Sequence, residues 1–202
     1  MKLSVAMLAS ALLLALPAAQ AAKVGEPAPG FTLTDSQGQA RSLADFAGKT
    51  VVLEWTNHQC PFVVKHYGAA NIPSQQREAV KEDVVWLVIN SSAPGKQGHV
   101  DGPTANQIQA DWKAAQTHYL FDGDGKVGRM YAAKTTPHMY VIDPQGVLRY
   151  NGAIDSIPSA DTGDIPEATQ YVPQVLSELA AGKPVSVGTS QPYGCSIKYA
   201  DA

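Results

Sequence analysis

Two cysteines are the residues of this 202-residue chain best equipped for covalent chemistry, and their surroundings differ. Cys60 follows the apolar run Thr50–Trp55 by five residues and precedes a stretch of helical spacing that begins at Pro61. Proline suits a first helical position, where its missing N–H would go unpaired in any case. A thiol just before it faces the positive end of the helix dipole and unpaired backbone N–H groups. Both favour thiolate and hold the pKa below the free value of about 8.5. The competing reading is an inert buried cysteine, which more often lies within an apolar face than at a strand-to-helix junction. Cys195 stands in a Gly/Pro-rich C-terminal tail. A second sulfur on such a tail can resolve a sulfenic acid or mixed disulfide formed on the first. Two alternatives stand beside that expectation: a static structural disulfide, worth about 5 kcal/mol for so long a loop, and an unpaired thiol.

Other residues could serve these sulfurs. Glu54 interrupts the apolar run six residues before Cys60, and an ionised carboxylate inside a central strand is costly unless paired or hydrogen-bonded. Two readings of it stand level, a proton acceptor for the thiol and an ion-pair partner of a lysine such as Lys65. Thr136-Pro137 precedes the strand expected at Met139–Ile142. That is a place for a cis peptide bond, although trans is the commoner state. Of the five histidines, His58 and His138 could approach Cys60. A Cys/His set of that kind either binds copper or zinc or lines a cleft and tunes the thiolate; no metal is expected here. Asp122-Gly-Asp124-Gly125 resembles the start of a calcium loop, but the later acidic position holds Ala133, so it reads as a turn. No nicotinamide or flavin fingerprint occurs, so no cofactor is expected and electrons would come from another thiol protein.

The elements that must position these residues follow from periodicity. Thr50–Trp55 and Val84–Ile89 read as buried strands, Pro61 to about Lys81 as a helix interrupted at Pro73, and residues 90–103 as a mobile loop. A helix is expected over Ala105–Gln116, a hairpin over residues 139–151 and a last helix over about Thr169–Ala181. Residues 1–21 have the form of a signal peptide: Lys2, an apolar run over Leu3–Leu16 too short to span a membrane, and Ala19-Gln20-Ala21 as a cleavage site. The rest, residues 22–202, is one domain whose tail, 184–202, carries Cys195. After cleavage no membrane contact is expected, and the location is periplasmic or secreted, where disulfides persist. Fifteen basic against 18 acidic residues argue against nucleic acid as a partner, and two cysteines are too few for a disulfide scaffold.

In this order the motifs resemble the thioredoxin-like superfamily and, more narrowly, its peroxiredoxin-like (redoxin, AhpC/TSA-type) branch. The resemblance rests on Leu53-Glu-Trp-Thr-Asn57, Cys60-Pro-Phe-Val63, Lys65-His-Tyr67, Tyr119-Leu-Phe-Asp122, Thr136-Pro-His138, Gly194-Cys-Ser-Ile-Lys-Tyr199 and the Val24–Pro29 lead-in. It implies an α/β fold, a thioredoxin-like three-layer sandwich with a central mixed β-sheet flanked by helices, an N-terminal β-hairpin and an irregular C-terminal tail. It further implies that Pro137 is a cis-proline facing Cys60, that Glu54 is the buried acid, and that Asn57, His58, Pro61, Thr136 and His138 line the cleft. The implied activity is a thiol-dependent reduction of peroxides or protein disulfides through Cys60, with Cys195 resolving. The alternatives are thiol-disulfide exchange on client proteins and a non-catalytic copper-binding or structural module. Departures from the pattern are plain. Val63 stands where the second cysteine of Cys-x-x-Cys belongs, and Leu53 and Asn57 stand where peroxiredoxins carry Pro and Thr, with Thr56 one place off. Arg129 is the candidate for a peroxide-polarising arginine.

Overall fold

The structure, a computed structural model, describes residues 21–201; the expected leader, apart from Ala21, lies outside the described residues. The chain opens with a hairpin, β1 (Thr32–Asp35) and β2 (Ala40–Ser42), followed by a single 3-10 turn at Leu43–Phe46 that Ser42 and Asp45 cap reciprocally. β3 (Val51–Trp55) is buried along its whole length. Helices α1 (Pro61–Gly68) and α2 (Asn71–Lys81) lead to β4 (Val85–Asn90), also wholly buried. α3 (Gly102–Asp111), β5 (His118–Phe121) and the short α4 (Lys126–Met130) follow. Next come β6 (Thr135–Thr136), β7 (His138–Ile142), β8 (Leu148–Gly152), α5 (Tyr171–Ala180) and β9 (Cys195–Ser196).

Seven strands form one sheet in the order β2-β1-β5-β4-β3-β7-β8, while β6 and β9 pair apart from it. β3, β4 and β5 run parallel, Val51 opposite Val85 through Trp55 opposite Ile89. β7 joins β3 antiparallel, with Trp55 opposite His138. Central parallel strands covered on both faces need continuous apolar sequence, which VVLEW and VWLVIN supply, Glu54 and Asn90 apart. Alternation along β3 then splits the core. Val52 packs with Val63, Ile72, Ala105 and Val175 of the helical layer formed by α1, α2, α3 and α5. Val51, Leu53 and Trp55 pack with Phe31, Val127 and Tyr131 on the other face. This is the thioredoxin-like three-layer sandwich.

Some local expectations change. The helix expected from Pro61 to about Lys81 is two helices, divided where Ala70 takes a left-handed φ of 57°. Pro73 is therefore the third residue of α2, where its missing N–H costs nothing, and does not interrupt a longer helix. The loop after β4 is packed, not mobile: Ser91, Ser92, Ala93 and Val100 are buried, and the Asn90 amide donates to Gly98 O at 2.8 Å. The C-terminal tail is also held. Ala93 N–H donates to Lys198 O at 2.9 Å, Ile197 N–H to Lys134 O at 3.0 Å, and the Tyr199 hydroxyl to Ala133 O at 2.9 Å.

Candidate active site

Where β3 ends, residues 56–59 turn the chain so that Cys60 stands at the residue capping α1, with Pro61 first in the helix. The turn is closed by Cys60 N–H to Asn57 O and by Gln59 N–H to Asn57 Oδ1, both 2.9 Å. Gly98 N–H donates to Gln59 Oε1 at 3.2 Å, so the loop after β4 buttresses it.

The Cys60 side chain is fully buried. Its Sγ donates to Thr136 O at 3.1 Å, and the bond from Thr136 to Pro137 is cis. In the β6–β9 pair Cys195 stands directly opposite Thr136. One residue thus touches the first cysteine through its carbonyl and aligns the second through the strand pair. Both cysteines are free thiols. Burial pushes the Cys60 thiol up, but the Cys195 thiol, Thr136 and the N–H groups of Val63 and Cys195 outweigh it and leave Cys60 below its ordinary range. Val63 is the third residue of α1, and its N–H is one of the orphan donors that a capping side chain normally satisfies. Cys195 moves the other way, up to about 11, through burial and the neighbouring Cys60 sulfur. As a thiol Cys60 donates to Thr136 O, and of the two sulfurs it is the one that gives up its proton more readily, Cys195 the one that keeps it.

Glu54 is fully buried and has no cationic partner among the described residues. Its carboxylate accepts from the Tyr67 hydroxyl at 2.8 Å, Trp86 Nε1 at 2.8 Å and Gln76 Nε2 at 3.3 Å. Burial pushes its pKa up to about 7 against the pull of those three donors. The Lys65 alternative is not met, because Lys65 Nζ reaches Ser159 O at 3.1 Å. His58 lies half-buried in the Cys60 turn, its Nδ1 buried without a hydrogen-bond partner among the described residues, and burial lowers its pKa.

His138 is not brought to Cys60. It lies on the opposite face of the sheet, where its Nε2 bonds Asn151 Oδ1 at 2.8 Å, Lys134 N–H donates to its Nδ1 at 3.2 Å, and its ring packs on Tyr140. A Cys60–His138 metal pair is therefore not assembled. Arg129 is also committed elsewhere. It donates to Asp124 O and Ala200 O and covers the Tyr199 ring, with 4.7 Å from guanidinium carbon to ring centroid. The expected turn at Asp122 holds, its carboxylate accepting from the N–H groups of Val127 and Gly128 and from the Ser91 hydroxyl.

The family model described as AhpC/TSA matches residues 24–151, more than half of the chain. The chain belongs to the AhpC/TSA family. That match includes Cys60, Glu54 and Pro137 and stops short of Cys195. No curated protein matches. Among solved structures, a hypothetical protein of Sinorhizobium meliloti is 21% identical with a TM-score of 0.73, covering 91% of this chain and 98% of its own. An uncharacterized conserved protein of Geobacillus kaustophilus is 24% identical with a TM-score of 0.74, covering 89% and 94%. The thioredoxin domain of a thiol-disulfide oxidoreductase of Bacteroides vulgatus is 20% identical with a TM-score of 0.50, covering 72% and 96%. These likenesses concern the fold.

Sequence reasoning missed the partners of Glu54 on α2 and β4, Gln76 and Trp86, because nothing local marks which polar side chains meet across layers. It also missed Asp155 and Tyr193. Their only signal was position: an acid after Ala153-Ile154, and a tyrosine two residues before Cys195.

Proposed function

We propose that this AhpC/TSA-family chain is a thiol-dependent oxidoreductase that reduces disulfides in other proteins, with Cys60 as nucleophile and Cys195 as resolving thiol. The observation that carries this reading is the convergence on Thr136, whose carbonyl accepts from Cys60 and whose strand partner is Cys195. The tail supplies the second sulfur that Val63 does not. The Cys60 thiolate attacks one sulfur of the client disulfide, forming a mixed disulfide and releasing the other as thiolate. Cys195 then attacks Cys60 Sγ and breaks its bond to the client, giving the Cys60–Cys195 disulfide; the second client sulfur leaves as thiolate and takes the proton of Cys195, and the first takes the proton that Cys60 gave up on ionising. The client gains two electrons and the protein loses two, which a donor thiol protein restores. Glu54, buried in the same layer and titrating near neutrality, fits a proton store for these transfers. The leader expected at residues 1–21 puts the reaction in the periplasm or outside the cell.

Family membership favours a second reading, in which the thiolate takes one peroxide oxygen as sulfenic acid, releases water or alcohol, and condenses with Cys195 with loss of water. Leu53, Asn57 and the engaged Arg129 weigh against it. The test compares reduction of a protein disulfide and of hydrogen peroxide, with dithiothreitol as donor, in wild type, Cys60→Ser and Cys195→Ser. Disulfide reduction should vanish in Cys60→Ser and stall at a mixed disulfide in Cys195→Ser when donor is limiting. Faster consumption of peroxide than of disulfide would select the second reading, and indifference of both activities to Cys60→Ser would exclude both.

A further inference from the structure

A polar chain, buried at both ends and half-buried at its middle, joins the helix that carries Cys60 to the segment that carries Cys195. His66, on α1, and Asp155, after β8, both have fully buried side chains. The Tyr193 hydroxyl lies between them, donating to Asp155 Oδ1 at 2.5 Å and standing 3.1 Å from His66 Nε2. Donor roles around the chain agree. The Asn71 amide, 2.9 Å away, gives a hydrogen to His66 Nδ1. Nε2–H is then the donor to the tyrosine oxygen, and the tyrosine O–H is free to go to the carboxylate. Asp155 Oδ1 also accepts from Ile157 N–H at 3.1 Å, while Oδ2 has no hydrogen-bond partner among the described residues and stands 3.8 Å from His66 Nε2, so Tyr193 carries much of the satisfaction of this buried acid. The Tyr193 ring meets Phe62 of α1 edge-on, with centroids 5.7 Å apart.

The next residue, Gly194, has φ of +126°, and a Cβ there would collide with the Thr136 carbonyl oxygen, the atom to which Cys60 donates. Tyr193, Gly194 and Cys195 thus form one closing unit: a hydroxyl fastened to α1, a backbone able to approach Thr136, and a sulfur set against Cys60. We propose that Tyr193 is a positioning residue, a latch whose hydroxyl, held by Asp155 and His66, keeps Cys195 in place to resolve the disulfide formed on Cys60. The latch rests on the reading of Cys195 as resolving thiol and adds what holds it there. Neither Tyr193 nor Asp155 touches a reacting sulfur, and Asp155 and Tyr193 both lie outside residues 24–151.

The two steps can be timed separately with 5,5′-dithiobis(2-nitrobenzoate). The Cys60 thiolate attacks the reagent disulfide, releasing one nitrothiobenzoate and keeping the other. Attack by Cys195 on Cys60 Sγ releases the second and leaves the intramolecular disulfide. Two protein thiols are oxidised as one reagent disulfide is reduced. Mass spectrometry distinguishes the adduct from the closed disulfide. Tyr193→Phe keeps the ring against Phe62 and removes only the hydroxyl. The first release should stay at the wild-type rate or rise as the tail loosens, and the second should slow by about tenfold or more, with the adduct persisting. Asp155→Asn should slow the same step, and the double variant should slow it little further, since the pair acts as one unit. If both releases keep wild-type rates in Tyr193→Phe, the latch is refuted and the resolving role of Cys195 survives. If wild type itself stops at the adduct, both are refuted.

Discussion

The unequal treatment of two identical side chains is the central chemical fact of this site. Cys60 is fully buried, yet its thiol lies below the ordinary range because the Cys195 thiol, Thr136 and the N–H groups of Val63 and Cys195 oppose burial. Cys195, paired on a strand, is raised. Alkylation by iodoacetamide should therefore show one thiol titrating below the free-cysteine pKa, and its loss in Cys60→Ser assigns it; loss in Cys195→Ser alone would reverse the assignment. Glu54 gives a second prediction. Its folded pKa of about 7 lies above the ordinary 4.5, so between those values the folded protein binds more protons than the unfolded chain. Stability contributed by Glu54 thus falls as pH rises through that window, by up to about 3 kcal/mol in all. Glu54→Gln removes this dependence. Urea unfolding at pH 5 and 7.5 should show the variant gaining on wild type at the higher pH, and a constant difference between them would mean that Glu54 titrates normally.

At the scale of elements, the site exists because a tail closes over a helix terminus. The last turn of that closure is Tyr199, whose ring lies on Gly128 of α4 and on Gly125 just before it, beneath Arg129. Gly128→Ala suits helix propensity but would drive a Cβ into the Tyr199 side chain. The expected result is a loosened tail with an intact sheet: Cys60 alkylated about fivefold faster or more for each kcal/mol of docking lost, and protease cuts confined to residues 185–201. Unchanged alkylation would mean that docking near Cys60 does not depend on Tyr199. The sequence showed β3, β4, the β7–β8 hairpin and the helix at Pro61 because each has a local cause: an apolar run, a Pro/Gly turn or a first-turn proline. β6 and β9 were hidden for the same reason. Each is two residues long, and what makes Thr135–Thr136 a strand is its partner some sixty residues away. His138 illustrates the other limit. Next to Pro137 in sequence, it was placed in the cleft, but strand alternation turns its ring to the far face.

Over the whole molecule, two buried histidines should weigh most on the response to acid. His66 in the helical layer and His138 on the far side of the sheet are both held down to about 4, chiefly by burial. In the unfolded chain each returns to about 6.5. Between those values the unfolded state binds more protons, so each histidine removes stability as pH falls from 6.5 towards 4, by up to about 3 kcal/mol. Glu54 acts in the opposite sense over an overlapping range, offsetting roughly one of the two. The remaining loss, on the order of one histidine's share, is large against a typical total of 5–15 kcal/mol. The protein should therefore be distinctly less stable to urea at pH 4.5 than at pH 6.5. His138→Gln, with an amide able to accept from Lys134 N–H or donate to Asn151, should remove most of that difference. The Glu54→Gln variant, deprived of the offset, should lose more than wild type over the same interval. Wild-type stability that holds or rises on acidification would show that at least one of these imidazoles is charged in the folded protein.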